Sequence, residues 1–178
     1  MKALIITWES FQDQELVYPF HRLKEETDDV LVAANVVGRF HGIMGVNMTS
    51  HLLLDELVND RERFLSDFDL LVLPGGVKAL EKLRQEKTVI SFITDWVIGG
   101  KVVASTCHGA QLLISAGVVK GRKLSAYYSI EDDVKNAGAE YIDAPVVVDE
   151  NIVSSPHYDH MGIWMKTAID QVKNATTR

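Results

Sequence analysis

Only one cysteine, Cys107, occurs in these 178 residues. No intrachain disulfide can brace the fold, and a reducing, cytoplasmic setting is expected. Prolines are scarce as well: Pro19, Pro74, Pro145 and Pro156 each stand alone, and no Pro/Gly/Ser-rich linker divides the chain. Residues 1–178 therefore read as one domain, long enough to enclose a full core. No apolar run approaches the roughly 20 residues that a bilayer crossing needs. Met1 to Thr7 starts like a leader, but acidic Glu9 and Asp13 arrive before any long apolar region or cleavage site, so it reads as a core strand. A basic block is missing too, with 18 Lys and Arg against 25 Asp and Glu for a net charge of -7. That balance argues against nucleic acid and anionic membranes as partners. With no HExxH pattern and a single thiol, no metal is expected, although Cys107, His157 and His160 could in principle be gathered.

What is present is an alternation of apolar strands and helix-like segments. Ala3 to Trp8, Val30 to Ala34, Leu70 to Leu73 and Lys101 to Ala104 are continuous apolar strands. Between them run a helix through Leu16, Val17, Phe20 and Leu23, kinked or delayed by Pro19, and a helix from Thr88 to Ile98 stopped by Gly99-Gly100. Gly38 to Met48 reads as irregular. Lys123 to Ala126 is a strand, Ser129-Ile130-Glu131-Asp132 a capping box for a helix ending near Gly138, and residues 146–154 a hairpin before a last helix from His160 to Val172. Such alternation predicts an α/β fold: a doubly wound, mostly parallel sheet with helices on both faces.

The strand ending at Ala104 runs through Ser105-Thr106 into Cys107-His108-Gly109-Ala110, and Gln111 to Ile114 reads as a short helix closed by Gly117. A cysteine at a tight strand-to-helix turn resembles a nucleophile elbow. The helix terminus should favour thiolate and lower the thiol pKa. Ligands of open parallel sheets bind beyond the carboxyl ends of the strands, which collects Glu15, Gly75, Gly76, Tyr127 and His157 around Cys107. Glu15 beside a thiolate should keep its proton and donate it to the sulfur. Gly75 and Gly76 let backbone N–H groups approach a substrate oxygen, joining the His108 N–H in an oxyanion hole. His108 reads equally as base or as structural residue, Tyr127 as pocket wall, and His157 as pocket lining with Asp159 or His160 capping the final helix.

Five segments in order resemble the ThiJ/PfpI superfamily, closest to its PfpI branch. They are Asp13-Gln14-Glu15-Leu16-Val17-Tyr18-Pro19, Leu71 to Gly76, Thr106-Cys107-His108-Gly109, Gln111 to Lys123, and Asp132 to Tyr141. The resemblance implies a flavodoxin-like sheet shared with class I glutamine amidotransferases. It further implies a cofactor-free cysteine enzyme assembling as a homodimer or homohexamer, and the apolar residues from Phe40 to Met48 suit self-association. PfpI peptidases draw a glutamate from a neighbouring subunit, and Glu81 matches it after a one-residue shift within Val77 to Arg84. Where those relatives carry Ser-Arg, this chain has Ser155-Pro156-His157. A fixed cation is replaced by imidazole, so small neutral substrates and an added pH dependence are expected. The leading function is Cys107 addition to a small electrophilic carbonyl, as in glyoxalases and deglycases. The alternatives are an amidase or peptidase acting through an acyl-enzyme, isonitrile hydration, and a redox sensor or chaperone that oxidises Cys107.

Overall fold

The computed structural model describes residues 1–176. The first half contains strands β1 (Ala3–Ile6), β2 (Val30–Ala34), β3 (Gly38–His41), β4 (Asn47–Ser50), β5 (Leu52–Leu53) and β6 (Leu70–Leu73). Its helices are α1 (Asp13–Lys24), α2 (Leu54–Asn59), α3 (Arg61–Asp67), α4 (Val77–Leu83) and α5 (Lys87–Ile98). The second half contains β7 (Val102–Thr106), α6 (Ala110–Ser115), β8 (Lys123–Leu124), α7 (Glu131–Asn136), β9 (Glu140–Tyr141), β10 (Val147–Asp149), β11 (Ile152–Ser155) and α8 (Met161–Thr176).

The main sheet has the order β10-β11-β7-β6-β1-β2-β5. Only β10 runs antiparallel, as the hairpin partner of β11. Every residue of β1, β6, β7 and β11 is buried. Side chains alternate between the two faces of a strand, so both faces must be covered. Helices α1 and α8 pack together, while α5 packs against α2, α3 and α6. Trp164 on α8 and Trp96 on α5 are fully buried. Their indole N–H groups donate to the Val153 carbonyl at 3.3 Å and the Val102 carbonyl at 3.0 Å, so each ring fills the core without orphaning its polar atom. Strand order reverses at β1 and β6, the switch point at which doubly wound sheets open a crevice.

Several sequence expectations shift. Helix α1 starts at Asp13, six residues before the buried Pro19, and runs on past it. Pro19 has no N–H for the Glu15 carbonyl one turn back. The stretch expected to be irregular is the β3–β4 hairpin. The strand expected at Lys123 to Ala126 shortens to β8 and pairs with β9 outside the main sheet, because Ser125 turns away to bond Ser154 Oγ and the Ala144 carbonyl. The capping box does not form, for a 3-10 turn over Tyr128–Ile130 precedes α7 and no side chain caps that helix. His157, not Asp159 or His160, caps the turn entering α8, by accepting the Asp159 N–H at 3.3 Å.

Candidate active site

Cys107 leaves β7 with φ +55°, in the left-handed region that side chains with a Cβ rarely occupy. The turn closes through a close approach of two backbones. A Cβ on Gly109 would lie 2.3 Å from the Leu73 carbonyl oxygen, so only glycine lets the elbow seat against β6. Gly76 has φ +111°, and a Cβ there would meet the Gln12 nitrogen at 2.6 Å. Gly75 is also tightly enclosed, since its Cβ would fall 2.4 Å from Glu15 Oε2 and 2.8 Å from Cys107 Cβ. Strand ends β1, β6 and β7 are thereby drawn onto one thiol.

Glu15 is completely buried at the first turn of α1. Its Oε2 accepts the Gly75 N–H at 2.7 Å, while Oε1 has no hydrogen-bond partner. Burial raises its pKa to about 7, against the opposing pull of the Gly75 amide and the Cys107 side chain. The Gly75 amide is therefore committed to Glu15, which corrects the expectation that it serves an oxyanion hole. The amides of Gly76 and His108 remain, and both point at the Cys107 sulfur.

The expected lowering of the thiol itself does not appear. Burial first, and then the charge on Glu15, push the Cys107 thiol above its usual range, with the His108 and Gly76 amides opposing. The helix that was to supply a dipole has only six residues and begins only after the 3-10 turn that Cys107 itself opens. Two acids this close titrate as a pair, and the first proton lost belongs to both. The pair's first ionisation lies near the Glu15 value of about 7. At that ionisation the charge rests on Glu15 and the sulfur keeps its proton, because burial and the neighbouring charge hold the thiol higher.

A cavity of about 220 Å³ opens over the sulfur, lined by residues that include Gln12, Ile43, Gly76, His108, Tyr127 and His157. His108 is buried, with Nδ1 3.3 Å from Cys107 Sγ. Burial lowers its pKa, and Asp133 pulls the other way. Although β8 lies outside the main sheet, the Tyr127 N–H donates to the Cys107 carbonyl at 3.3 Å and brings that ring to the site. Tyr127 packs between His108 and His157, with centroids at 5.0 and 5.9 Å. A hydrogen bond with Tyr128 keeps its hydroxyl protonated, raising it to about 12. His157 lines the cavity, and the Tyr158 ring packs against it in a tilted arrangement with centroids 3.7 Å apart. Glu81 is exposed on α4 and does not line the cavity. Among the described residues, no group of three or more His, Cys, Asp or Glu is placed to hold a metal.

Residues that sequence reasoning passed over are Gln12, Ile43, Val77 and Tyr158. Ile43 arrives from the β3–β4 tip, held because buried Asp13 accepts the N–H groups of Met44 and Val46 at 2.8 Å each. The acidic pair Asp13 and Glu15 was the available signal, one carboxylate serving the loop and the other the thiol.

A profile of the DJ-1/PfpI family matches residues 1–171. Deglycase TK1284 of Thermococcus kodakarensis is 48% identical over 166 residues, covering 93% of this chain and 96% of that protein. Deglycase PfpI of Pyrococcus furiosus is 43% identical over 173 residues, covering 97% of this chain and all of that protein. The solved structure of Schizosaccharomyces pombe DJ-1 superposes with a TM-score of 0.88 at 18% identity, over 97% of this chain and 92% of that one.

Proposed function

Since this chain belongs to the DJ-1/PfpI family, we propose that it is a deglycase-like cysteine enzyme acting on a small electrophilic carbonyl. The observation that carries the reading is the pairing of a left-handed Cys107 with a buried, proton-holding Glu15 beneath an open cavity. Relatives named deglycases over nearly their whole length support the same chemistry.

In this mechanism Glu15 holds the proton shared with Cys107, and the Gly76 and His108 amides stabilise the thiolate. The sulfur adds to the carbonyl carbon. A C–S bond forms, the C=O π pair moves to oxygen, and Glu15 passes its proton to that oxygen. With a 2-oxoaldehyde, Glu15 then takes the C–H proton of the hemithioacetal and returns it to the neighbouring carbon as the hemithioacetal O–H proton passes to the neighbouring oxygen, giving a 2-hydroxy thioester. Water cleaves its C–S bond, releasing the 2-hydroxy acid and restoring the thiol. Among the described residues lining the cavity none is Arg or Lys, so neutral carbonyls are favoured over carboxylated ones. Tyr127, Tyr158 and His157 form the wall against which the substrate packs.

Methylglyoxal, its adducts on amino groups, a neutral amide panel and a fluorogenic peptide are assayed together with wild type, Cys107→Ala and His157→Ala. The expected result is consumption of carbonyl substrate by wild type, loss in Cys107→Ala, and a changed rate with unchanged folding in His157→Ala. The 3.3 Å contact between His108 and the sulfur also suits an acyl-enzyme route. Peptide cleavage without carbonyl turnover would assign the chain to that route. Absence of any Cys107-dependent turnover would overturn both.

A further inference from the structure

The turn after β8 carries a hydroxyl that its own backbone does not use. Ser129 begins the four residues that read as a capping box, yet Ile130 is the N-cap of α7 and no side chain caps that helix. Ser129 Oγ lies instead 3.4 Å from His108 Nε2, while Nδ1 of the same ring is 3.3 Å from Cys107 Sγ. A single imidazole bridges an exposed serine and the buried thiol.

We propose that Ser129 is a positioning residue whose hydroxyl donates to His108 Nε2 and thereby holds the ring proton on Nδ1, aimed at the Cys107 sulfur. The inference deepens the function above and rests on Cys107 being its nucleophile. A neutral imidazole carries one N–H, so a donor at Nε2 makes that nitrogen the acceptor and places the proton on Nδ1. Burial favours the neutral ring, and Asp133 supplies the opposing charge. The groups facing the imidazole are then Cys107, Ser129, the Tyr127 ring and the more distant Asp133. An Nδ1–H gives the thiolate a third donor beside the amides of Gly76 and His108. It also fixes the ring plane across the cavity floor. A carboxylate at the same place would act oppositely, since it accepts the Nε2 proton and leaves Nδ1 bare or drives the ring to imidazolium. Hydroxyl and carboxylate partners are thus distinguishable by where the proton sits.

The test uses full-length protein with ¹⁵N-labelled histidine and two readouts. NMR locates the His108 ring proton, and the rate of Cys107 alkylation by iodoacetamide at pH 8 reports the sulfur. Wild type is expected to show a protonated Nδ1 and a bare Nε2. Ser129→Ala should move the proton toward Nε2 and slow alkylation about 3- to 10-fold, the net worth of one ordinary hydrogen bond. Ser129→Thr, which keeps the hydroxyl, should restore both. Ser129 is exposed, so neither variant threatens the fold. An Nε2–H tautomer in wild type, an unchanged Ser129→Ala variant, or a Ser129→Thr variant that restores neither readout overturns the proposal. Neither readout needs a substrate, so both remain decisive if the carbonyl reading fails.

Discussion

Glu15 is a carboxyl whose burial sets two opposing consequences in one residue. Its pKa rises from 4.5 to about 7, so the folded chain binds this proton more tightly than the unfolded chain does. The stabilising contribution is complete below pH 4.5 and disappears as pH rises through about 7. At pH 8 the buried carboxylate then costs on the order of 3 kcal/mol. Glu15→Gln should therefore raise the urea midpoint at pH 8 and leave it nearly unchanged at pH 4. Equal gains at both pH values would contradict the assignment. The same charge acts on the thiol. Alkylation of Cys107 in wild type should gain rate only above the ordinary thiol range, because burial and the Glu15 carboxylate both disfavour thiolate. In Glu15→Gln, which removes the charge, the midpoint should shift downward by about one pH unit, the scale of a single charge partner, and an unchanged or raised midpoint would contradict the assignment.

At the scale of elements, the site is made by three strand ends that converge where the sheet order reverses. Their junction depends on glycine where β6 and the elbow meet. Because a Cβ on Gly109 would stand 2.3 Å from the Leu73 carbonyl, Gly109→Ala must push the elbow away from β6. A cost of about 2 kcal/mol or more follows from overpacking a rigid junction. Chemical denaturation should register that loss, and the alkylation rate should fall because Cys107 no longer faces the Gly76 amide. A Gly109→Ala protein with wild-type stability and reactivity would show that the close approach is not needed. Element by element, β1, β2, β6, β7 and α5 were legible as continuous apolar runs bounded by polar residues and glycine. The β3–β4 hairpin was not, since its connecting loop carries exposed apolar Ile43, Met44 and Val46 where a polar turn would mark it. The short β8 and β9 were blurred because their partners are each other and not the sheet.

Over the whole molecule, exposed apolar side chains are scattered, and several of them, Tyr18, Met44 and Val46, meet beside α1. Tyr18, Met44, Val46 and Val17 line a groove of about 400 Å³ beside α1, and Met44 is 77% exposed. We infer that a second copy of the chain covers this groove. Light scattering at micromolar concentration should then report more than one copy, and a Met44→Lys, Val46→Lys double variant should shift it toward monomer. A monomeric wild type would rule the arrangement out. No helix among the described residues is long and apolar enough to cross a membrane.

The sequence by itself determined the parallel sheet, the thiol at its centre and the family, because apolar runs, glycine pairs and a lone cysteine at a strand end are local features. It also pointed to Glu15 as a proton holder, since a carboxyl beside a thiol cannot easily share negative charge with it. Only the tertiary structure decided how the polar groups are shared out. It committed the Gly75 amide to Glu15, turned the expected fall in the thiol pKa into a rise, left Glu81 on the outer face of α4, and turned a presumed helix cap at Ser129 toward His108. Each of these outcomes depends on angles and distances between segments far apart in the chain, where a shift of an ångström changes which donor meets which acceptor.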